Sequence, residues 1–137
     1  MRHWLMKSEP AKYSWDDLVR DGRTSWDGVR NYQAANNLRE MKVGDRAFFY
    51  HSNEGLAIMG VVEIVRAAYP DPSDKAARFV MVDVMPMVPV NHPVTLAAIK
   101  ANPRLKSLAL LRQSRLSVSP VESGEWAILA EMAGLKP

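Results

Sequence analysis

The sequence predicts an α+β protein in which short helices pack around a small curled β-sheet or barrel. Three observations lead there. By apolar spacing, roughly five segments read as strands and about four as short helices. The helices are inserted between strands without the regular alternation that builds a doubly wound parallel sheet. The strands are short and mostly separated by turn-forming residues, which favours antiparallel pairing and a curled sheet or barrel. A chain of 137 residues is long enough to bury one core, and no repeat, low-complexity tract or linker divides it, so residues 1–137 are taken as one domain.

His3-Trp4-Leu5-Met6-Lys7 reads as the first strand, ended by Ser8-Glu9-Pro10 because proline cannot donate to a ladder. Ser14 is placed to cap a short helix, with Asp17 three residues on and Gly22 after the last turn. Trp15, Leu18 and Val19 share one face of that helix and are expected in the core. A polar loop follows, Ser25-Trp26-Asp27-Gly28-Val29-Arg30-Asn31-Tyr32. It gathers an indole, a carboxylate, a guanidinium, an amide and a phenol around a glycine free to take positive φ. Either Trp26 lids the core or the loop forms one wall of a recognition pocket.

Asn31 suits the N-cap of a second helix whose inner stripe is Ala34, Leu38 and Met41, and Gly44-Asp45 ends it. Capping alone would explain Asn31, so its role stays divided between cap and ligand contact. Arg46 to Ser52 and Ala57 to Arg66 form the clearest strand pair, joined by Asn53-Glu54-Gly55. Alternation puts Phe48, Tyr50 and Ser52 on one face and Ala47, Phe49 and His51 on the other. Gly60 interrupts the second strand and marks a bulge or a close approach of another backbone or a ligand.

Tyr69-Pro70-Asp71-Pro72-Ser73-Asp74-Lys75 is expected to be a mobile polar excursion. Arg78 to Val90 reads as a long strand, with Val80, Val82 and Val84 on one face and Pro86 and Pro89 pushing its far end to a sheet edge. Thr95 caps a helix carrying Leu96 and Ile99, stopped by Asn102-Pro103. Leu105 to Leu111 is apolar with ambiguous period. Ser114 to Val118 alternates as the last strand, and Trp126, Leu129 and Met132/Ala133 stripe a terminal helix closing at Gly134.

Hydrophobic residues make up 47% of the chain and charged residues 24%, the proportions of a soluble globular protein. The formal charge of +3 suits a polyanionic partner without identifying one. Without cysteine there are no disulfides and no thiolate metal sites. No apolar run approaches the roughly 20 residues of a membrane span, and the first residues have no signal-peptide core. A cytoplasmic monomer that engages no membrane is expected.

The chain has no phosphate-cradling glycine loop, dinucleotide fingerprint or nucleophile elbow, and His3, His51 and His92 lack ligand-like spacing. Neither a metal nor a cofactor is called for. His51 beside Tyr50 and Ser52 is either a structural histidine or an acid–base group, and Glu9 with Asp27 is conceivable as a carboxylate pair. What stands out is polar clusters at strand ends: Lys7-Ser8-Glu9, Tyr50-His51-Ser52-Asn53 and Ser114-Arg115-Leu116-Ser117. Together with the Trp26 loop they supply stacking planes, hydrogen-bonding groups and cations. A nucleobase turned out of its stack needs that mixture.

These residues carry a family resemblance. Trp4-Leu5-Met6-Lys7-Ser8-Glu9-Pro10, Trp26-Asp27-Gly28-Val29-Arg30-Asn31-Tyr32-Gln33-Ala34, Met41-Lys42-Val43-Gly44-Asp45, Phe49-Tyr50-His51-Ser52-Asn53 and Ser114-Arg115-Leu116-Ser117-Val118 with Pro120-Val121 resemble an EVE domain, in order and over nearly the whole chain. The resemblance implies a PUA-like fold, a small curled β-barrel with helices around it. It also implies a reader of modified bases in DNA or RNA, akin to the YTH readers of methylated adenine. The implied pocket lining is Lys7, Ser8 and Glu9; Trp26, Arg30 and Asn31; Tyr50, His51 and Ser52; and Arg115 and Ser117. The chain departs from the pattern at Ala35, where the family often carries an arginine, so one basic contact is expected to be missing.

The function expected is therefore a nucleic-acid-binding module without catalytic activity that reads a modified base, such as a 5-substituted cytosine. Trp26 would be the stacking wall and Tyr50 the second wall, with Glu9 and Asn31 on the pairing edge and Arg30, Arg115 and Lys7 on the backbone. The alternatives are an enzyme on modified nucleotides using His51 and Glu9 as acid and base, and a module for a protein partner.

Overall fold

In the computed structural model, which describes residues 1–135, one mixed sheet divides two apolar layers. Its strands are β1 (His3–Ser8), β2 (Thr24–Ser25), β3 (Arg46–His51), β4 (Ala57–Pro70), β5 (Val80–Thr95) and β6 (Val118–Val121), in the order β2-β5-β4-β3-β1-β6. Only β1 and β3 pair in parallel; the other neighbours are antiparallel. The helices are α1 (Trp15–Asp21), α2 (Tyr32–Glu40), α3 (Leu96–Ala101), α4 (Ala109–Arg112) and α5 (Ser123–Met132), with a 3₁₀ turn at Pro103–Leu105.

The α+β class holds, but the sheet is not closed into a barrel, since its edges β2 and β6 are not hydrogen-bonded to each other. Repeated register shifts between β4 and β5 add bends and twist, which curl the sheet. Helix α2 contacts β4, β5 and β6, and so bridges from one end of the sheet to the other. Helix packing completes the enclosure that strand pairing leaves open. No described helix is long and apolar enough to cross a membrane.

Strand alternation sorts side chains between the layers. Trp4, Met6, Ala47 and Phe49 face the layer covered by α1 and α2, while Leu5, Phe48 and Tyr50 face the layer of α3, α4 and α5. In the second layer the Trp126 indole stacks on Phe48 with ring centroids 3.9 Å apart. Asp45 ties the turn before β3 to β1, accepting from the Trp4 indole Nε1 at 3.0 Å and the Arg2 amide at 3.1 Å.

Several local expectations hold. Ser14 and Asp17 form a reciprocal capping box on α1, and Gly22 ends it at φ 74°. Asn31 caps α2 by accepting from the Ala34 amide at 2.9 Å, and Thr95 caps α3. Others need correction. Val19 is 53% exposed, because Trp15 and Leu18 alone meet the sheet. The last strand begins at Val118; Ser114 to Ser117 instead form the bend leading into it, anchored by the Leu116 amide donating to the Gln113 carbonyl. At Gly60 the expected bulge holds as a shift of pairing register, and the Trp15 indole packs there, 2.4 Å from where a Cβ would sit.

Candidate functional site

The parallel pair β1 and β3 ends on one rim, and the bend before β6 is drawn to the same rim by the Lys7 amide donating to the Ser117 carbonyl at 2.9 Å. Ser8 and Ser52 are joined there by a backbone hydrogen bond of 2.9 Å. Every polar cluster at a strand end thus lies on one side of the molecule. The cluster is divided among three depressions.

The largest, about 470 Å³, is lined by Ser8, Glu9, Lys12, Tyr13, Thr24, Ser25, Trp26, Asp27 and Gly28. Its volume falls within the ~300–1,000 Å³ of ordinary ligand pockets. Glu9 pairs loosely with exposed Lys12 at 3.4 Å, leaving carboxylate lone pairs open to the cleft. Ser8 Oγ donates to the Tyr13 carbonyl at 2.6 Å, which fixes the hydroxyl and leaves its oxygen as an acceptor. Trp26 belongs to the core and also borders this cleft. It is only 9% exposed and meets Phe49 edge-to-face at 5.6 Å, yet part of it lines the cleft.

A second depression, about 240 Å³ and mainly apolar, holds Lys7, Tyr50, Ser52, Asn53, Leu56, Leu96, Leu110 and Ser114. Tyr50 is buried in the layer opposite to Trp26, so the two rings cannot be facing walls of one cleft. Burial raises the Tyr50 phenol pKa and lowers that of the Lys7 ammonium, and Lys7 Nζ is engaged by the Ser114 carbonyl at 2.7 Å. A third, about 320 Å³, is lined by Asn31, Gln33, Arg112, Gln113, Ser114, Arg115 and Leu116. Ser114 borders both smaller depressions.

Asn31, which caps α2, lines the third depression and not the Glu9 cleft, and two further expected site residues are committed to the fold. His51 Nε2 accepts from the Trp15 amide at 3.0 Å, so the imidazole satisfies the start of α1 instead of standing free as an acid or base. Burial lowers its pKa below 6.5, opposed by Asp16. A depressed histidine pKa makes protonation favour the unfolded chain, so this contribution is intact above the unfolded pKa and declines as pH falls through and below it. His51→Gln, which keeps an acceptor but cannot titrate, is expected to reduce the loss of thermal midpoint between about pH 7.5 and about pH 5.5. An unchanged pH response would remove His51 from that role.

Arg30 is the other. Its guanidinium donates to Asp71 at 3.2 Å and to Ser73 Oγ at 2.9 Å and lies over the Phe79 ring at 5.3 Å. Asp71, buried, also accepts from the Gly28 amide at 2.8 Å and from Ser73 N and Oγ at 2.8 and 2.6 Å. Although desolvation opposes it, these donors hold the Asp71 pKa down at about 2. The excursion expected to be mobile is therefore pinned against the Trp26 loop. Gly28 takes φ 77°, as its loop requires, and what its backbone receives is this carboxylate. Nothing near Asp71 in sequence signals that contact. Ala35 is fully buried in α2, so the position serves packing and not surface contact in this chain. Among the described residues, no group of three His, Asp or Glu side chains is placed to hold a metal ion.

The chain matches the EVE domain model over residues 2–132. It is 37% identical to human thymocyte nuclear protein 1, covering 98% of this chain and 75% of that protein. A crystal structure of an Agrobacterium tumefaciens protein is 43% identical with a TM-score of 0.96, covering 98% of this chain and 94% of that one. The human THYN1 protein, solved in complex with DNA containing 5-methylcytosine, is 36% identical with a TM-score of 0.92, and all of both chains is covered. On the strength of its whole-length match and these relatives, the chain belongs to the EVE domain family.

Proposed function

We propose that the protein is a nucleic-acid-binding module that reads a modified cytosine in DNA, with the base turned out of the duplex into the Trp26 cleft. The observation that carries this reading is the end-to-end likeness to the human THYN1 protein, whose solved complex contains 5-methylcytosine DNA. The local chemistry agrees with it. Cytosine presents an exocyclic amine donor on its pairing edge, and the Glu9 carboxylate is an acceptor on the cleft wall. The apolar flank of Trp26 offers contact to a ring and a 5-methyl group. Arg115 and Lys7 on the neighbouring rim contribute charge towards the backbone, while Arg30 serves as a brace.

The test is titration of labelled duplexes with and without one 5-methylcytosine at fixed salt. The methylated duplex is expected to bind more tightly. Glu9→Ala should weaken both duplexes about tenfold, since a good base-edge pair contributes about 1–3 kcal/mol. Trp26→Phe, chosen because full truncation would open the core, should shrink the preference for the methylated duplex. Equal binding of both duplexes by the unaltered protein would overturn the reading. Tighter binding to methylated single-stranded RNA would move the partner from DNA to RNA.

A further inference from the structure

The two-residue edge strand β2 pairs with β5 and carries Ser25, a wall residue of the Trp26 cleft, within reach of the Tyr69 side chain from β4. Ser25 Oγ and the Tyr69 hydroxyl lie 3.1 Å apart, and Tyr69 in turn donates to Asp83 at 2.5 Å. Asp83 also accepts from Arg23 at 2.9 Å. These contacts hold the phenol ring in one place at the lip of the cleft. Over that ring lies the Arg66 guanidinium, 3.5 Å from its centroid.

Arg66 differs from the other cations around the cleft. Lys12 pairs with Glu9, Arg20 with Asp17 and Asp21, Arg23 with Asp83 and Arg30 with Asp71. Arg66 is exposed and, among the described residues, has no carboxylate within ion-pair distance. It faces Asp83 across the strand pair, yet Asp83 is already taken by Tyr69 and Arg23. A guanidinium stacked on a pinned ring, with its N–H fork unused, is already ordered for a planar or tetrahedral oxyanion.

We infer that Arg66, held on the Tyr69 platform, is a phosphate clamp for the DNA strand entering the Trp26 cleft. The inference rests on the proposed base-reading site and adds a backbone contact on the lip away from Arg115. The occupant is a phosphodiester: a base drawn into the cleft leaves its flanking phosphates at the mouth, where Ser25 and Tyr69 meet. A contact of this kind adds affinity without reading sequence or modification.

The experiment measures binding of the same two duplexes across a series of salt concentrations. Arg66→Gln should weaken methylated and unmethylated duplexes by the same factor, several-fold at low salt, and flatten the log–log salt slope by about one. Arg66→Lys should restore much of the slope and only part of the affinity, because the ammonium keeps the charge but not the stacked fork. Tyr69→Ala, which removes the platform, should weaken binding in the same direction. Unchanged affinity and slope in Arg66→Gln, with an unchanged thermal midpoint, would overturn the clamp, as would absence of any DNA binding by the unaltered protein. If that protein binds both duplexes equally while Arg66→Gln still flattens the slope, the clamp stands and the modified-base reading falls.

Discussion

Asp71→Asn is expected to lower stability by about 3 kcal/mol, because it removes the charge from a buried carboxylate and turns an acceptor into an amide facing existing donors. The Asp71 side chain is fully buried and collects donors from Gly28, Arg30 and Ser73, so no water replaces what is lost. Thermal unfolding should show the change as a fall of about 10 °C in the midpoint. The pH dependence gives an independent signature. The Asp71 pKa is lowered from 3.8 to about 2, so its contribution is complete above the unfolded value and is lost as pH falls through the folded one. That difference is equivalent to up to about 2 kcal/mol. The gap between the unaltered protein and Asp71→Asn should therefore narrow as pH is lowered from about 5 towards about 2. A constant gap would show that the carboxylate's charge is not what matters. Because Asp71 holds Gly28 in the cleft wall, the variant should also bind 5-methylcytosine DNA more weakly at temperatures where it stays folded.

Gly60→Ala should be nearly as damaging for a different reason. A Cβ there would lie 2.4 to 2.6 Å from three atoms of the Trp15 ring, inside any contact that real side chains tolerate. Trp15 cannot simply rotate away, since it is buried and packed edge-on against Phe49 at 5.6 Å. Over-packing of this kind costs about 1–3 kcal/mol, and a rigid indole places Gly60→Ala at the upper end. Chemical denaturation should show a lower midpoint with an unchanged slope. A second variant, Gly60→Ala with Trp15→Leu, should recover part of the loss, and failure to recover would locate the damage elsewhere.

Much of the fold was legible because its signals are local. Caps at Ser14, Asn31 and Thr95 act over three residues, and the alternation in β3 assigns Phe48 and Phe49 to opposite layers without reference to anything distant. The residues whose roles are not legible are those whose partners are far along the chain. Asp71 meets Gly28 across 43 positions, and Tyr69 meets Ser25 across 44. The sequence leaves His51 open between a structural and an acid–base role because its partner, the Trp15 amide, belongs to a helix end that only folding brings near. Tyr50 looked like a second wall because strand ends cluster in space, whereas alternation had already sent it to the other layer. The resemblance implies the rim as a whole; sorting it into side chains held by the fold and side chains left open requires tertiary geometry.

The parallel pairing of β1 with β3 has a kinetic consequence. The crossover between them runs from Ser8 to Arg46 and contains α1, the Trp26 loop and α2. On its other side β1 pairs with β6, which arrives late in the chain. Pairings this distant must close large loops before any contact rewards them, and they slow folding. During synthesis, β1 has to wait for both neighbours with its backbone groups unpaired. The rim is consequently assembled only once Val118–Val121 has docked, and binding competence should appear in the slowest refolding phase.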